Sequence, residues 1–235
     1  METVIKVSAK DKVIMAGTGR ESTKQSIIDT KEAAVAGAHF ASLIAPSFFA
    51  KKMTDQVLLS HFRQSADASP IPVLLYNNPG RTGVNISPDF VVRASKVDNI
   101  VGIKDSSGDL TITAEYIRRT DEKFSVLAGR DTLIYGTLCY GGKGAIAATA
   151  NVAPKIIVEI YEAFQKGDLK RSLEAQFRLA PLRLAFDLGT FPVVIKEALN
   201  LIGIDAGVGI PPVGGIKPEA KKELKEILKN MGLLK

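Results

Sequence analysis

The sequence predicts a parallel α/β fold, a barrel or an open sheet of βα units followed by C-terminal helices. Three observations carry this. Short β-branched apolar runs alternate with stretches of helical period from residue 12 onward. Strand starts at 12, 39, 72, 99, 124 and 143 leave room for a right-handed crossover between successive parallel strands. After residue 150 only helical patterns remain.

In chain order, METVIKVSAK reads as the end of a helix. The strands are KVIMAG (12–17), HFASLIA (39–45), PVLLYN (72–77), NIVGIK (99–104), FSVLAG (124–129) and KGAIAAT (143–149). Between them the helical stretches are 22–38, 53–68, 87–97, 109–120 and 131–141. Helices at 154–168, 169–186 and 192–203, a Pro/Gly-rich loop at 207–218 and a charged amphipathic helix from 219 complete the chain. The organisation expected is a βα region over 1–153 with helices of 154–235 packed on it.

Composition narrows the function. Of 235 residues 46% are hydrophobic and 24% charged, which suits a globular chain and excludes disorder. No apolar run approaches the roughly 18 residues a membrane-spanning helix needs. The net charge of +6 is spread along the chain, a pattern of solvated surface that argues against a nucleic-acid face. The single Cys139 excludes an internal disulfide framework or a thiolate metal cluster and fits a reducing compartment. His39 and His61 are the only histidines and read as ordinary residues. No metal or cofactor is expected, and no targeting signal is visible, so the expected location is the cytoplasm or the mitochondrial matrix.

In parallel α/β folds chemistry gathers where strands end, so the polar residues closing each run matter most. Lys104 alone among the strand lysines closes a strand. Its apolar neighbours Val101, Gly102 and Ile103 hold water away from the amine, as an amine nucleophile requires. The plain alternative is a lysine reaching from a strand end to solvent. Tyr76 closes the preceding strand, and if the two strands pair, their ends lie about 5 Å apart, close enough for a proton relay. An aromatic cap on the core is the other reading. Arg81, in the following Pro/Gly turn, offers a planar fork suited to a carboxylate, or is a surface arginine. Three features carry less. GTGRES (17–22) lacks the third glycine of a dinucleotide loop, so Ser22 or Thr23 reads as a helix cap. GGKG (141–144) precedes its strand, at the structural rim. Asp105 points away from Lys104, and SSGD (106–109) reads as a cap for the next helix.

YNNPGRTG (76–83), VGIKDSSGD (101–109), LAGRD (127–131) and GAIAATANVAP (144–154), in that order, resemble the pyruvate-dependent class I aldolases of the dihydrodipicolinate synthase and N-acetylneuraminate lyase family. ESTKQSI (21–27), ADASPIPVLLYNNP (66–79) and the ending KNMGLLK are most similar to its 4-hydroxy-2-oxoglutarate aldolase branch. The resemblance implies a (β/α)8 barrel with C-terminal helices, here without its first two βα units, working as a homo-oligomer (tetramer or dimer). It implies Lys104 as Schiff-base lysine, Tyr76 as proton relay, Arg81 as carboxylate ligand, and the backbone of Gly129 and Ile146 at the pyruvate end. Two departures stand out. The family's hydroxyl-bearing Gly-Thr-Thr-Gly-Glu loop is missing, and Phe48 and Phe49 stand where many members carry a tyrosine pair.

The activity expected is carbon–carbon lysis or synthesis through a pyruvate enamine, with 4-hydroxy-2-oxoglutarate cleaved to pyruvate and glyoxylate as the leading reading. The alternatives are 4-hydroxy-tetrahydrodipicolinate synthesis from pyruvate and aspartate semialdehyde, and an inactive scaffold or regulatory partner of a full-length subunit.

Overall fold

The computed structural model describes residues 1–234 and divides into two compact units, one of residues 1–130 and 140–144, the other of residues 131–139 and 145–234. The first unit runs α1 (Glu2–Val7), β1 (Met15–Gly17), α2 (Thr23–Ala36), β2 (Phe40–Ile44), α3 (Asp55–Asp67) and β3 (Val73–Asn77). It continues through α4 (Pro79–Thr82), α5 (Pro88–Ala94), β4 (Ile100–Asp105), α6 (Leu110–Arg119) and β5 (Ser125–Ala128). The sheet order is β1-β2-β3-β4-β5-β6, where β6 is Gly144–Ala145, with β1 to β5 paired parallel. Sequential order means that every crossover steps the same way, as in a (β/α)8 barrel, whereas a doubly wound sheet reverses direction midway. The fold is thus the α/β barrel type with six strands.

The helices start where short polar side chains satisfy free backbone N–H groups: Ser22, Thr54, Ser87 and Asp109 cap α2, α3, α5 and α6. Those helices cover one face of the sheet. Ala41, Leu43, Val73, Leu75, Ile103 and Val126 point into a buried layer with Phe62, Phe90 and Tyr116 from α3, α5 and α6. Residues one place along each strand face the other way. Tyr76 and Lys104 are on that second face, both half-buried.

Two strands are shorter than the sequence predicts. KVIMAG contributes only Met15–Gly17, because the Ile14 N–H is taken by Nδ1 of His39 (3.0 Å) and Lys12 closes a turn on Ala9. KGAIAAT contributes only β6 (Gly144–Ala145), because Ala148–Asn151 winds into a 3-10 turn. Asp131 fixes that turn by accepting from the N–H and the hydroxyl of Thr149 at 2.8 and 2.6 Å.

In the second unit a 3-10 turn at Asp131–Leu133 leads into α7 (Ile134–Cys139), followed after β6 by α8 (Pro154–Gln165), α9 (Leu169–Leu184), α10 (Phe191–Leu201) and α11 (Pro218–Asn230). Ile160, Leu179, Leu182 and Leu224 are fully buried there, and Ser172 donates to the Ile160 carbonyl at 2.7 Å across α8 and α9. Among the described residues, no helix is long and apolar enough to cross a membrane.

Candidate active site

The register of β3 on β4 sets Tyr76 opposite Lys104 and, one step on, Asn77 opposite Asp105. The alternation of strand side chains then separates the two pairs. Tyr76 and Lys104 share the face turned away from the helices, with the Lys104 Nζ 4.1 Å from the centre of the Tyr76 ring. Asn77 and Asp105 share the helix-facing side and are buried. The Tyr76 hydroxyl accepts from Nδ2 of Asn78 at 2.8 Å, with the Ser106 hydroxyl and the Lys104 amine nearby. Burial pushes the Tyr76 phenol up, but the Ser106 hydroxyl, the Lys104 charge and the Asn78 amide outweigh it and hold the phenol below its usual value. A phenol so surrounded gives up its proton more readily than a free one.

Gly129, just past β5, closes over this pair. Its N–H donates to the Asp105 carbonyl at 2.7 Å. A Cβ there would stand 2.1 Å from the Ser106 Oγ, 2.8 Å from that carbonyl oxygen and 2.9 Å from the Lys104 Cε. Only glycine leaves room for the lysine to lie against this backbone.

The buried pair behind the site is a scaffold. Asp105 accepts from Nδ2 of Asn77 (3.0 Å), the Ser107 N–H (3.0 Å) and hydroxyl (2.9 Å), and the Thr113 hydroxyl (2.6 Å). Asn77 also donates to Asn85 and to Tyr116, and accepts from the Ile86 N–H at 3.0 Å. The Tyr116 hydroxyl donates to the Ile86 carbonyl, and burial, followed by the Asp105 charge, pushes its phenol far up. This network ties the ends of β3 and β4 to α6 and so fixes the level at which Tyr76 and Lys104 meet. Adjacent polar residues at a strand end, Tyr-Asn and Lys-Asp, are the sequence signal for such a two-sided arrangement. Asn77, Asn78 and Ser106 are absent from the sequence-based candidates. Within SSGD it is Asp109 that caps α6, accepting from Thr111 at 2.8 Å, while Ser106 is turned back: its N–H donates to the Asn77 carbonyl at 2.8 Å and its hydroxyl faces Tyr76.

Arg81 is exposed in α4, the single turn that follows Tyr76. Phe48 and Phe49, after β2, are 78% and 65% exposed and pack edge to face with ring centres 4.9 Å apart. Glu21 holds that loop by accepting from the Ser47 and Phe48 N–H groups. Ile146 is half-buried in the second unit, between β6 and the Thr149 turn. Among the described residues no group of three or more His, Cys, Asp or Glu side chains is placed to hold a metal ion.

The dihydrodipicolinate synthetase family model matches residues 1–231. The chain belongs to that family of carbon–carbon bond-forming enzymes. A family relative from Archaeoglobus fulgidus, 4-hydroxy-tetrahydrodipicolinate synthase, is 39% identical over 221 residues, covering 94% of this chain and 76% of the relative. One of the same name from Methanothrix thermoacetophila is 40% identical over 228 residues, covering 97% and 77%. Among solved family structures, dihydrodipicolinate synthase from Thermotoga maritima superposes with a TM-score of 0.93 at 31% identity, covering 99% of this chain and 80% of that one. YagE from Escherichia coli K12, solved in complex with pyruvate, gives 0.91 at 31% identity, covering 95% and 76%.

These findings correct the leading reading of the sequence. The relatives carry the name of the synthase, and nothing in them favours the 4-hydroxy-2-oxoglutarate aldolase branch. The physical reason is where the branch-like segments fall. Ser22 of ESTKQSI is the cap of α2, and ADASPIP is a turn at the start of β3, held by Asn99 donating to the carbonyls of Ala66, Ser69 and Ile71. These are framework roles, and ADASPIP stands at the opposite end of β3 from Tyr76, so these segments carry no information about the aldehyde.

Proposed function

We propose that this protein is a 4-hydroxy-tetrahydrodipicolinate synthase, condensing pyruvate with aspartate semialdehyde through a Schiff base on Lys104. The observation that carries this reading is the pairing of Lys104 with Tyr76, 4.1 Å from amine to ring centre, on the face of the paired strand ends turned away from the helices. The names of the relatives support the choice of aldehyde.

In this mechanism the unprotonated Lys104 amine adds to the pyruvate ketone, and the carbinolamine loses water to leave an iminium. The Tyr76 hydroxyl supplies the proton that the leaving oxygen needs. Loss of a methyl proton gives the enamine, whose carbon attacks the semialdehyde carbonyl, and the new alkoxide is protonated by way of Tyr76. The amino group of the bound semialdehyde then attacks the iminium carbon, closing the ring and freeing Lys104. Gly129 lines the pyruvate end, and Arg81 receives the semialdehyde carboxylate as a two-pronged donor. The working form is a homo-oligomer.

The test is intact-mass spectrometry after incubation with pyruvate and borohydride, with peptide mapping and a Lys104→Ala control. A single reduced adduct on Lys104, together with turnover of aspartate semialdehyde and not of 4-hydroxy-2-oxoglutarate by the unreduced protein, supports the reading. Folded protein that forms no adduct refutes it and leaves an inactive scaffold.

A further inference from the structure

Asn78 stands at the N-cap position of α4, where an asparagine side chain ordinarily accepts from the first free N–H groups of the helix. Here it makes no cap bond. Its backbone carbonyl takes the N–H groups of Arg81 and Thr82 at 3.0 Å each, and the side chain turns back to donate to the Tyr76 hydroxyl at 2.8 Å. Ser106, just past β4, is held by its N–H on the Asn77 carbonyl and by the space that Gly129 leaves over its Oγ. A phenol oxygen has two lone pairs and one proton. With Asn78 donating to one lone pair, the phenol proton and the other lone pair are left for the groups on the Lys104 side.

We propose that Asn78 is a positioning residue for the proton relay, orienting the Tyr76 hydroxyl and stabilising its phenolate. An amide cannot pass a proton on, so Asn78 holds the hydroxyl while Ser106 can exchange a proton with it. Both residues lie on segments that also carry the reacting groups: Asn78 is two positions from Tyr76, and Ser106 two from Lys104. Polarisation of the tyrosine is therefore built from the same two strand ends that bring the pair together.

The inference rests on the Schiff-base reading, and its test separates the two. Wild type, Asn78→Ala, Asn78→Asp and Ser106→Ala are each trapped with pyruvate and borohydride. In separate unreduced samples Tyr76 is titrated by phenolate absorbance, as a difference against Tyr76→Phe, and turnover is measured with aspartate semialdehyde. All four proteins are expected to reach the Lys104 adduct. In Asn78→Ala, kcat falls about tenfold, a small part of the roughly 10²–10⁴-fold that a positioned acid–base group contributes. Its Tyr76 titration moves to higher pH. Asn78→Asp keeps the shape but sets a negative charge beside the phenol, so the titration moves further up. Ser106→Ala moves it in the same direction. Adducts in all four with Tyr76 titrating as in wild type in both Asn78 variants would overturn the assignment, even if thermal stability fell, since a purely structural asparagine predicts that outcome. Absence of the Lys104 adduct in wild type overturns the reading and this inference together.

Discussion

The tightest steric constraint in the site is at Gly129, and Gly129→Ala tests it. The added Cβ meets three atoms closer than ordinary van der Waals contact, at 2.1, 2.8 and 2.9 Å. The nearest, the Ser106 Oγ, can rotate away at small cost. The second is the Asp105 carbonyl oxygen, and it cannot yield alone, because Asp105 is tied by its carboxylate to Asn77, Ser107 and Thr113. Relief must therefore come from separating β4 from the Gly129 backbone, which stretches the 2.7 Å bond between the Gly129 N–H and that carbonyl. Overpacking of this kind costs about 1–3 kcal/mol, and with one backbone bond also weakened about 2 kcal/mol is expected. The third atom, the Lys104 Cε, is displaced with it, and about 1 Å of misplacement at a reacting group costs on the order of 10²-fold in rate. Urea denaturation gives the first quantity and the rate of pyruvate adduct formation the second. Gly17→Ala is the control, since a Cβ there meets nothing within 4 Å, and a change within about 0.5 kcal/mol is expected. If Gly129→Ala unfolds at the wild-type urea midpoint and forms adduct at the wild-type rate, the claim that this backbone is rigid is wrong.

Other outcomes follow from the same structure. Asp105→Ala strips the partners from Asn77, Ser107 and Thr113 in a buried setting, and is expected to destabilise by about 3 kcal/mol, read by denaturation. His61 is buried, with Nδ1 on the Thr23 hydroxyl and Nε2 without a partner, and desolvation lowers its pKa against a smaller opposing pull from Glu21. The unfolded chain then binds the proton more readily, so stability falls as pH drops below about 6.5, and His61→Gln flattens the profile there. Glu21 is held below the usual carboxylate range chiefly by the Phe48 N–H, against desolvation. Its grip on the Ser47–Phe48 loop is thus complete above about pH 4.3 and lost as pH falls through the depressed value, which hydrogen exchange at those two amides would show. Arg81→Ala is expected to raise KM for aspartate semialdehyde by at least about tenfold while leaving that for pyruvate nearly unchanged, as loss of a charged hydrogen bond to one substrate requires.

What the sequence determined by itself was the architecture and the two side chains, Tyr76 and Lys104, that close its neighbouring strands. Apolar runs of strand length spaced by helical stretches dictate parallel βα units, because each strand must be covered by the helix that follows it. Lys104 and Tyr76 stood out because they close adjacent strands, and the register of β3 on β4 sets them opposite each other. The ends of β1 and β6 were less legible, since they depend on bonds between distant residues, His39 to Ile14 and Asp131 to Thr149. The surroundings of the pair were decided by tertiary structure alone. Asn78 and Ser106 look like turn and cap residues in one dimension, because local sequence does not say whether a short polar side chain will bond its own backbone or turn toward a neighbouring strand. Nor does it say that Gly129 is needed at its position, since that need arises only when β5 brings its backbone onto a lysine 25 residues earlier in the chain.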